Sequence, residues 1–196
     1  EVESGAPATR RARTPPTLLR SQPNGQLWHK PDTQWHTPKA VCAVDIVCAG
    51  AGRDAREVVL RRLAVEVSLE LLNEESYAAT VAGLSYDLAR SVHGYQLQVE
   101  GFSHKLKQML LRVASTLAGL ADTPPDDALL SRLVQRMKLG LQNEPGTTAE
   151  ELAGYERLWC IERTFHHADE KLAALRDVSA ADVQAHVAAM LRGGAE

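Results

Sequence analysis

The chain is poor in the residues that announce chemistry. Three cysteines, two phenylalanines and 5% aromatic residues are spread through 196 positions. The cysteine count is odd. Cys42 and Cys48, if carried on one straight strand, stand roughly 20 Å apart, far beyond disulfide reach. A disulfide framework is therefore excluded, and a cytoplasmic or other intracellular reducing compartment is expected, with the small thiols buried as structural residues. There is no C-x-x-C pair and no paired His at helical spacing with a third ligand nearby, so no structural zinc site is expected. No segment approaches the ~20 apolar residues of a spanning helix, so no membrane span is expected. Lys and Arg number 22 against 25 Asp and Glu, a net charge of −3, and a balance this even calls for no nucleic acid. The first residue is Glu1 instead of Met, and the arginines that follow lead into no apolar signal core. A fragment or a processed chain is expected.

What is present is periodicity. The length suits one domain with a real core. Residues 1–26 hold Pro7, Pro15, Pro16, Pro23 and Gly25 and read as a tail or linker, the domain proper running from 27 to 192 and a short end from 193 to 196. A short strand is expected in "LWHKPD", and a stronger one in "KAVCAVDIVCAG", apolar on both faces as if well covered. From Asp54 to about Ala82, Val59, Leu63, Val67 and Leu71 form one row of an amphipathic helix, with a break expected near Asn73. After Gly83 the period falls to two. Leu84, Tyr86 and Leu88 share one face, His93-Gly94 makes a turn, and Tyr95, Leu97 and Val99 alternate with Gln96, Gln98 and Glu100 in an antiparallel partner. Ser103 is read as the cap of a helix striped by Leu106, Met109, Leu110, Val113 and Leu117. Asp126 favours the start of the next, with a core row of Leu130, Val134, Met137 and Leu141. Thr147 and Glu150 have capping-box spacing before Leu152, Tyr155, Leu158 and Trp159, and Ser179 with Asp182 opens a final helix. The fold class is α+β, an antiparallel sheet with helices packed on one face.

Candidate chemistry is sparse by comparison. His166, His167, Asp169 and Glu170 look like a zinc-peptidase cluster, but neither H-E-x-x-H nor H-x-x-E-H is formed, and a solvated helix connection is expected. His29, Asp32 and His36 lie on a Pro-containing turn and read as surface residues. His93 reads as a turn residue. Ser85 in "GLSYD" has no strand-to-helix elbow around it. Tyr77, Tyr86 and Tyr95 each fall on an inward face and are expected in the core. Gly83, Gly94 and Gly101 punctuate strand ends and make no phosphate cradle. From the residues alone, no catalytic, cofactor-binding or metal-binding residue is assigned.

The same motifs carry a resemblance. "YAATVAGLSYDL" from Tyr77, "LWHKPDTQWHTPKA" from Leu27, "VEGFSHKL" from Val99 and "ALRDVSAADVQAHVAAML" near the C-terminus resemble, in order and spacing, the insulysin, nardilysin and pitrilysin family of zinc metallopeptidases. The similarity runs over roughly Pro15 to Arg192 and is to the middle, third domain. Two departures stand out: the connection from Ala49 to Asp54 is short and rich in Gly and Ala, and the tail before Pro15 has no counterpart. The resemblance implies four similar α+β units in two bowl-shaped halves around a chamber in which peptides and small polypeptides are cut. It places Zn2+ in the first unit, on H-x-x-E-H and a distant Glu, none of which has a match in this chain. What it implies here is a non-catalytic segment that walls the chamber and docks on the remaining domains. Peptide substrates in the chamber and a homodimer of the longer enzyme complete the implied partners. The alternative is a stand-alone, catalytically inactive binding or assembly subunit derived from such a peptidase.

Overall fold

The computed structural model describes residues 15–33, 35–48, 50–144, 148–162 and 164–192, with the backbone alone for 74–76. The chain divides into two compact units, 1–37 and 38–196. In the first, strand β1 (Thr17–Gln22) pairs antiparallel with β2 (Gly25–His29), Thr17 opposite His29 and Gln22 opposite Gly25. The Pro and Gly that suggested a tail here serve a hairpin. Pro23 and Asn24 make its two-residue turn, where the fixed φ of proline suits the leading position. The expected tail thus contains a strand, and the hairpin straddles the boundary placed at residue 26.

The second unit begins with β3 (Lys39–Val47) and the long helix α1 (Ala55–Val81). Strands β4 (Ser85–Ser91) and β5 (Gly94–Phe102) follow as the expected hairpin. β5 lies between β3 and β4, antiparallel to both. Because side chains alternate across a strand, Tyr95, Leu97 and Val99 share one face with Cys42, Val44 and Ile46 of β3 and Tyr86 and Leu88 of β4. That face is the buried one, covered by α1 and by α2 (Ser103–Gly119). The other face carries Val41, Ala43, Asp45 and Val47 with Gln96, Gln98, Glu100 and Asp87, all exposed. β3 is therefore covered on one side only, and its second apolar parity does not mark burial.

Helix α1 runs unbroken through Asn73. Between Glu57 and Glu70 no residue is fully exposed, and the partly exposed side carries Arg62, Glu66 and Glu70, which pair with one another and with Arg132 and Arg136 of α3. Val59, Leu63 and Val67 are buried as the row required, whereas Leu71 is 50% exposed and Leu72 is buried in its place. Around this central rod pack α2, α3 (Asp127–Gln142), α5 (Ala168–Ala174) and α6 (Ala180–Arg192). The α3 row Leu130, Val134, Met137 and Leu141 is buried throughout, joined by Leu133. Helix α4 (Ala149–Ile161) departs from expectation: Tyr155 alone is buried, while Leu152, Trp159 and Ile161 are about half exposed or more.

Caps show where local sequence was misread by one residue. Phe102, not Ser103, occupies the N-cap of α2, and no side chain caps it. The capping box of α4 is Thr148 with Glu151, one step beyond the expected pair, of which Thr147 lies outside the described residues. Asp126 caps α3 through the Leu129 N–H. Ser179 and Asp182 form the expected reciprocal pair, with the Asp182 carboxylate accepting from both the backbone and the hydroxyl of Ser179.

Candidate functional site

The residues that looked chemical are scattered by the fold. His29, Asp32 and His36 lie in the first unit and are exposed; Asp32 is committed to a turn, its carboxylate accepting from the Trp35 N–H at 2.9 Å. His93 is exposed in the β4–β5 turn, where its carbonyl accepts from the Cys48 N–H. Ser85 opens β4 on the exposed sheet face, remote from any histidine of that strand pair. Of the three tyrosines, Tyr95 is fully buried, Tyr86 is half-buried with its hydroxyl donating to the Leu72 carbonyl, and Tyr77 is 78% exposed. Tyr77 therefore does not belong to the core: α1 projects past the other helices before it ends. Among the cysteines, Cys48 is buried, Cys42 intermediate and Cys160 exposed, so burial does not account for all three. Burial pushes the Cys48 thiol above its ordinary pKa and leaves it a poor nucleophile.

The pair His166 and His167 is not a solvated connection. His166 Nε2 donates to the Gly52 carbonyl at 3.1 Å, with Nδ1 at 3.4 Å from Glu170, and its side chain is mostly buried. His167 packs edge-on against Tyr155 and Trp159, and its Nδ1 accepts from the Asp169 N–H. The Tyr155 hydroxyl accepts from the Ala168 N–H. These contacts tie α4 and α5 to the β3–α1 loop, which is why the two imidazoles sit there. Among the described residues, no group of three or more His, Cys, Asp or Glu is placed to hold a metal ion. The His, Cys, Asp and Glu side chains described are thus not grouped as a zinc centre requires.

The polar centre of the domain is one that sequence reasoning passed over. Glu57 and Arg61, one turn apart on α1, are only 6% and 4% exposed. Their Oε1 and Nε approach to 3.3 Å. Glu57 Oε2 accepts from the Gly52 N–H, and Arg61 Nη1 donates to the Ser91 carbonyl at 3.0 Å. His186 of α6 brings its Nε2 to 4.0 Å from Glu57 Oε1. Desolvation raises the Glu57 carboxyl above its ordinary pKa, partly offset by the Gly52 N–H and by Arg61. Desolvation, helped by the Arg61 charge, pushes His186 down to about 4, so it is neutral at physiological pH. One carboxylate, one guanidinium and one neutral imidazole thus join the β3–α1 loop, the β4–β5 hairpin and α6. The available signal was the i,i+4 spacing of Glu57 and Arg61 on an otherwise apolar face. With so little exposure, the cluster is closed to a substrate and serves as an internal tie.

What remains open to a partner is surface. Val41 and Val47, 63% and 68% exposed, stand with Asp45, Asp87 and Glu100 on the uncovered side of the sheet. Tyr77 and Val81 on the projecting end of α1, and Leu152, Trp159 and Ile161 on α4, are further exposed apolar groups.

Residues 2–174 match the family model described as the middle or third domain of peptidase M16. The chain is 35% identical over 123 residues to the Arabidopsis thaliana protein named insulin-degrading enzyme-like 1, peroxisomal, an alignment spanning 63% of this chain and 13% of that protein. It is 28% identical over 162 residues to human nardilysin, spanning 83% of this chain and 14% of nardilysin. The crystal structure of pitrilysin superposes with a TM-score of 0.77 at 18% identity, over 88% of this chain and 18% of that one. At that identity the superposition speaks for the fold. The alignments span about one seventh of the length of these relatives.

Proposed function

This chain belongs to the family of middle or third domains of peptidase M16, and from that premise we propose that it is a non-catalytic segment of an insulysin-like zinc metalloendopeptidase that degrades peptides and small polypeptides inside a closed chamber. The observation that carries the reading is the family match over residues 2–174, and the buried contacts of Glu57, Arg61 and His166 are internal to the fold. In this reading the chain walls part of the chamber and docks on the remaining domains of the longer enzyme. The Zn2+ and the residues that activate water belong to another part of that enzyme. The partners are those domains and the enclosed peptides, and the compartment is intracellular and reducing, in keeping with three free thiols. No helix among the described residues is long and apolar enough to cross a membrane.

The physical logic is one of exclusion by shape. A chamber wall needs a rigid sheet and a filled core more than it needs reactive groups, and it selects substrates by whether they fit inside. The exposed side of the β3-β5-β4 sheet and the unburied faces of α1 and α4 are the surfaces available for wall and docking contacts. The reading is tested by comparing the purified 196-residue chain with the product of the complete reading frame. Zinc-dependent cleavage of a fluorogenic peptide by the longer protein and none by the chain supports it. Cleavage by the chain alone overturns it.

A further inference from the structure

The β3-β5-β4 sheet ends at β3, and the ladder decides which backbone groups that edge leaves free. At its two ends the β3–β5 ladder is closed by hydrogen bonds from the Ser103 N–H to the Pro38 carbonyl and from the Cys48 N–H to the His93 carbonyl. Between them the register is unbroken, from Lys39 opposite Phe102 to Val47 opposite Gly94. Bonded and non-bonded pairs alternate along an antiparallel ladder, so the even-numbered residues of β3 bond to β5. Lys39, Val41, Ala43, Asp45 and Val47 therefore turn their N–H and C=O groups outward. Among the described residues, no backbone group bonds to that edge.

β3 has little that discourages pairing. It contains no proline and no bulge in nine residues, and no charge from Ala40 to Val44. Its inner face is also left open at the margin: Cys42, Val44 and Ile46 are half-buried, whereas Leu97 and Val99 of the neighbouring β5 are sealed.

We propose that β3 is the seam of a homodimer, pairing antiparallel with β3 of a second copy about a two-fold axis at Cys42.

The register follows from the strand's own sequence. A two-fold axis normal to the sheet keeps the faces of both copies aligned. Placed at Cys42, it sets Val41 opposite Ala43 of the other copy, Ala40 opposite Val44, and Lys39 opposite Asp45. Apolar residues then meet apolar ones on both faces, and the two charges of the strand meet each other at both ends of the seam. Asp45 makes no ion pair among the described residues, and Lys39 only overhangs the Phe102 ring, with Nζ 5.5 Å from its centre. An axis at Ala43 would set Lys39 opposite Val47 and Asp45 opposite Val41, and an axis at Asp45 would oppose two carboxylates. The backbone agrees with the axis at Cys42. The outward-facing Lys39, Val41, Ala43 and Asp45 fall in pairs that exchange hydrogen bonds, and Cys42 falls in a non-bonded pair, its two Cα atoms about 4.5 Å apart. Two three-stranded sheets become one, with the helices of both copies on the same side. This inference stands on β3 alone and does not rest on the peptidase reading.

The test is sedimentation equilibrium of the reduced 196-residue chain, and the expected result is a reversible dimer. Lys39→Glu places like charges opposite each other at both ends of the seam and should weaken the dimer about fivefold or more. Lys39→Glu combined with Asp45→Lys should restore it. Ala43→Pro removes an N–H that faces outward, so it should abolish the dimer while β3 stays paired with β5. Diamide should yield a covalent dimer that is lost in Cys42→Ser and kept in Cys160→Ser, because the paired Cα atoms lie within disulfide reach. A chain that stays monomeric at millimolar concentration, a dimer indifferent to both the charge changes and Ala43→Pro, or cross-linking through Cys160 alone overturns the proposal.

Discussion

Gly83 ends α1 with φ at +73°, and a Cβ built there comes within 3.0 Å of the Phe102 ring. Gly101 meets it from the other side, where an added Cβ would lie 2.4 Å from the Gly83 carbonyl. The helix stops and the strand turns at this point because two backbones touch. Gly83→Val is expected to cost about 2 kcal/mol or more, since a β-branched residue resists positive φ and must also displace the ring. An unchanged urea midpoint would contradict this. At the buried pair, Glu57→Gln leaves Arg61 without its anion and should cost about 3 kcal/mol. Glu57→Leu combined with Arg61→Met should be far milder than the sum of the single changes, as a double-mutant cycle in denaturant will show. His186 supplies a pH dependence with a defined sign. Its proton is held more weakly in the folded state, with a pKa of about 4 against an ordinary 6.5. Stability from this group is therefore complete above about pH 6.5 and declines by about 3 kcal/mol as pH falls to 4. Glu57, raised in the folded state by desolvation, contributes a change of opposite sign. Melting temperatures measured across this window should fall in wild type and flatten in His186→Gln.

Elements were legible where periodicity and burial coincide. The β4–β5 hairpin and the α3 row could be read directly, because alternation and the i,i+4 pattern each point one face at the core. The hairpin β1–β2 was hidden by its own Pro and Gly, which mark turns as often as linkers. The pattern of α1 suggests a break near Asn73, but the helix runs through it, since Asn73 is exposed near the C-terminal end and needs no buried partner there. α4 misled in the opposite sense: its apolar residues resemble a core stripe, while the domain buries Tyr155 alone. The contacts of His166 with Gly52 and of His186 with Glu57 leave no local signal because they join residues far apart in sequence, whereas Glu57 and Arg61 carry one in their i,i+4 spacing. Asp126→Ala removes the acceptor for the Leu129 N–H and should lower stability by about 1 kcal/mol. Denaturant unfolding monitored by circular dichroism checks it, and no change would show that the cap is dispensable.

For the molecule as a whole, the sequence motifs, the fold and the family match converge on a middle domain of peptidase M16. Its buried residues form one core cluster between the sheet and the helices, while apolar residues stay bare on the sheet, on the end of α1 and on α4. In the proposed reading these surfaces meet the other domains, so the separate chain should self-associate, visible as a concentration-dependent mass in light scattering. The central claim is that this segment shapes a proteolytic chamber without performing the chemistry. The most direct measurement is turnover of a quenched fluorogenic peptide by the purified 196-residue chain, with Zn2+ added and with Zn2+ chelated. The account predicts no turnover above the protein-free control in either condition; zinc-dependent turnover that scales with chain concentration and co-purifies with the chain would contradict it.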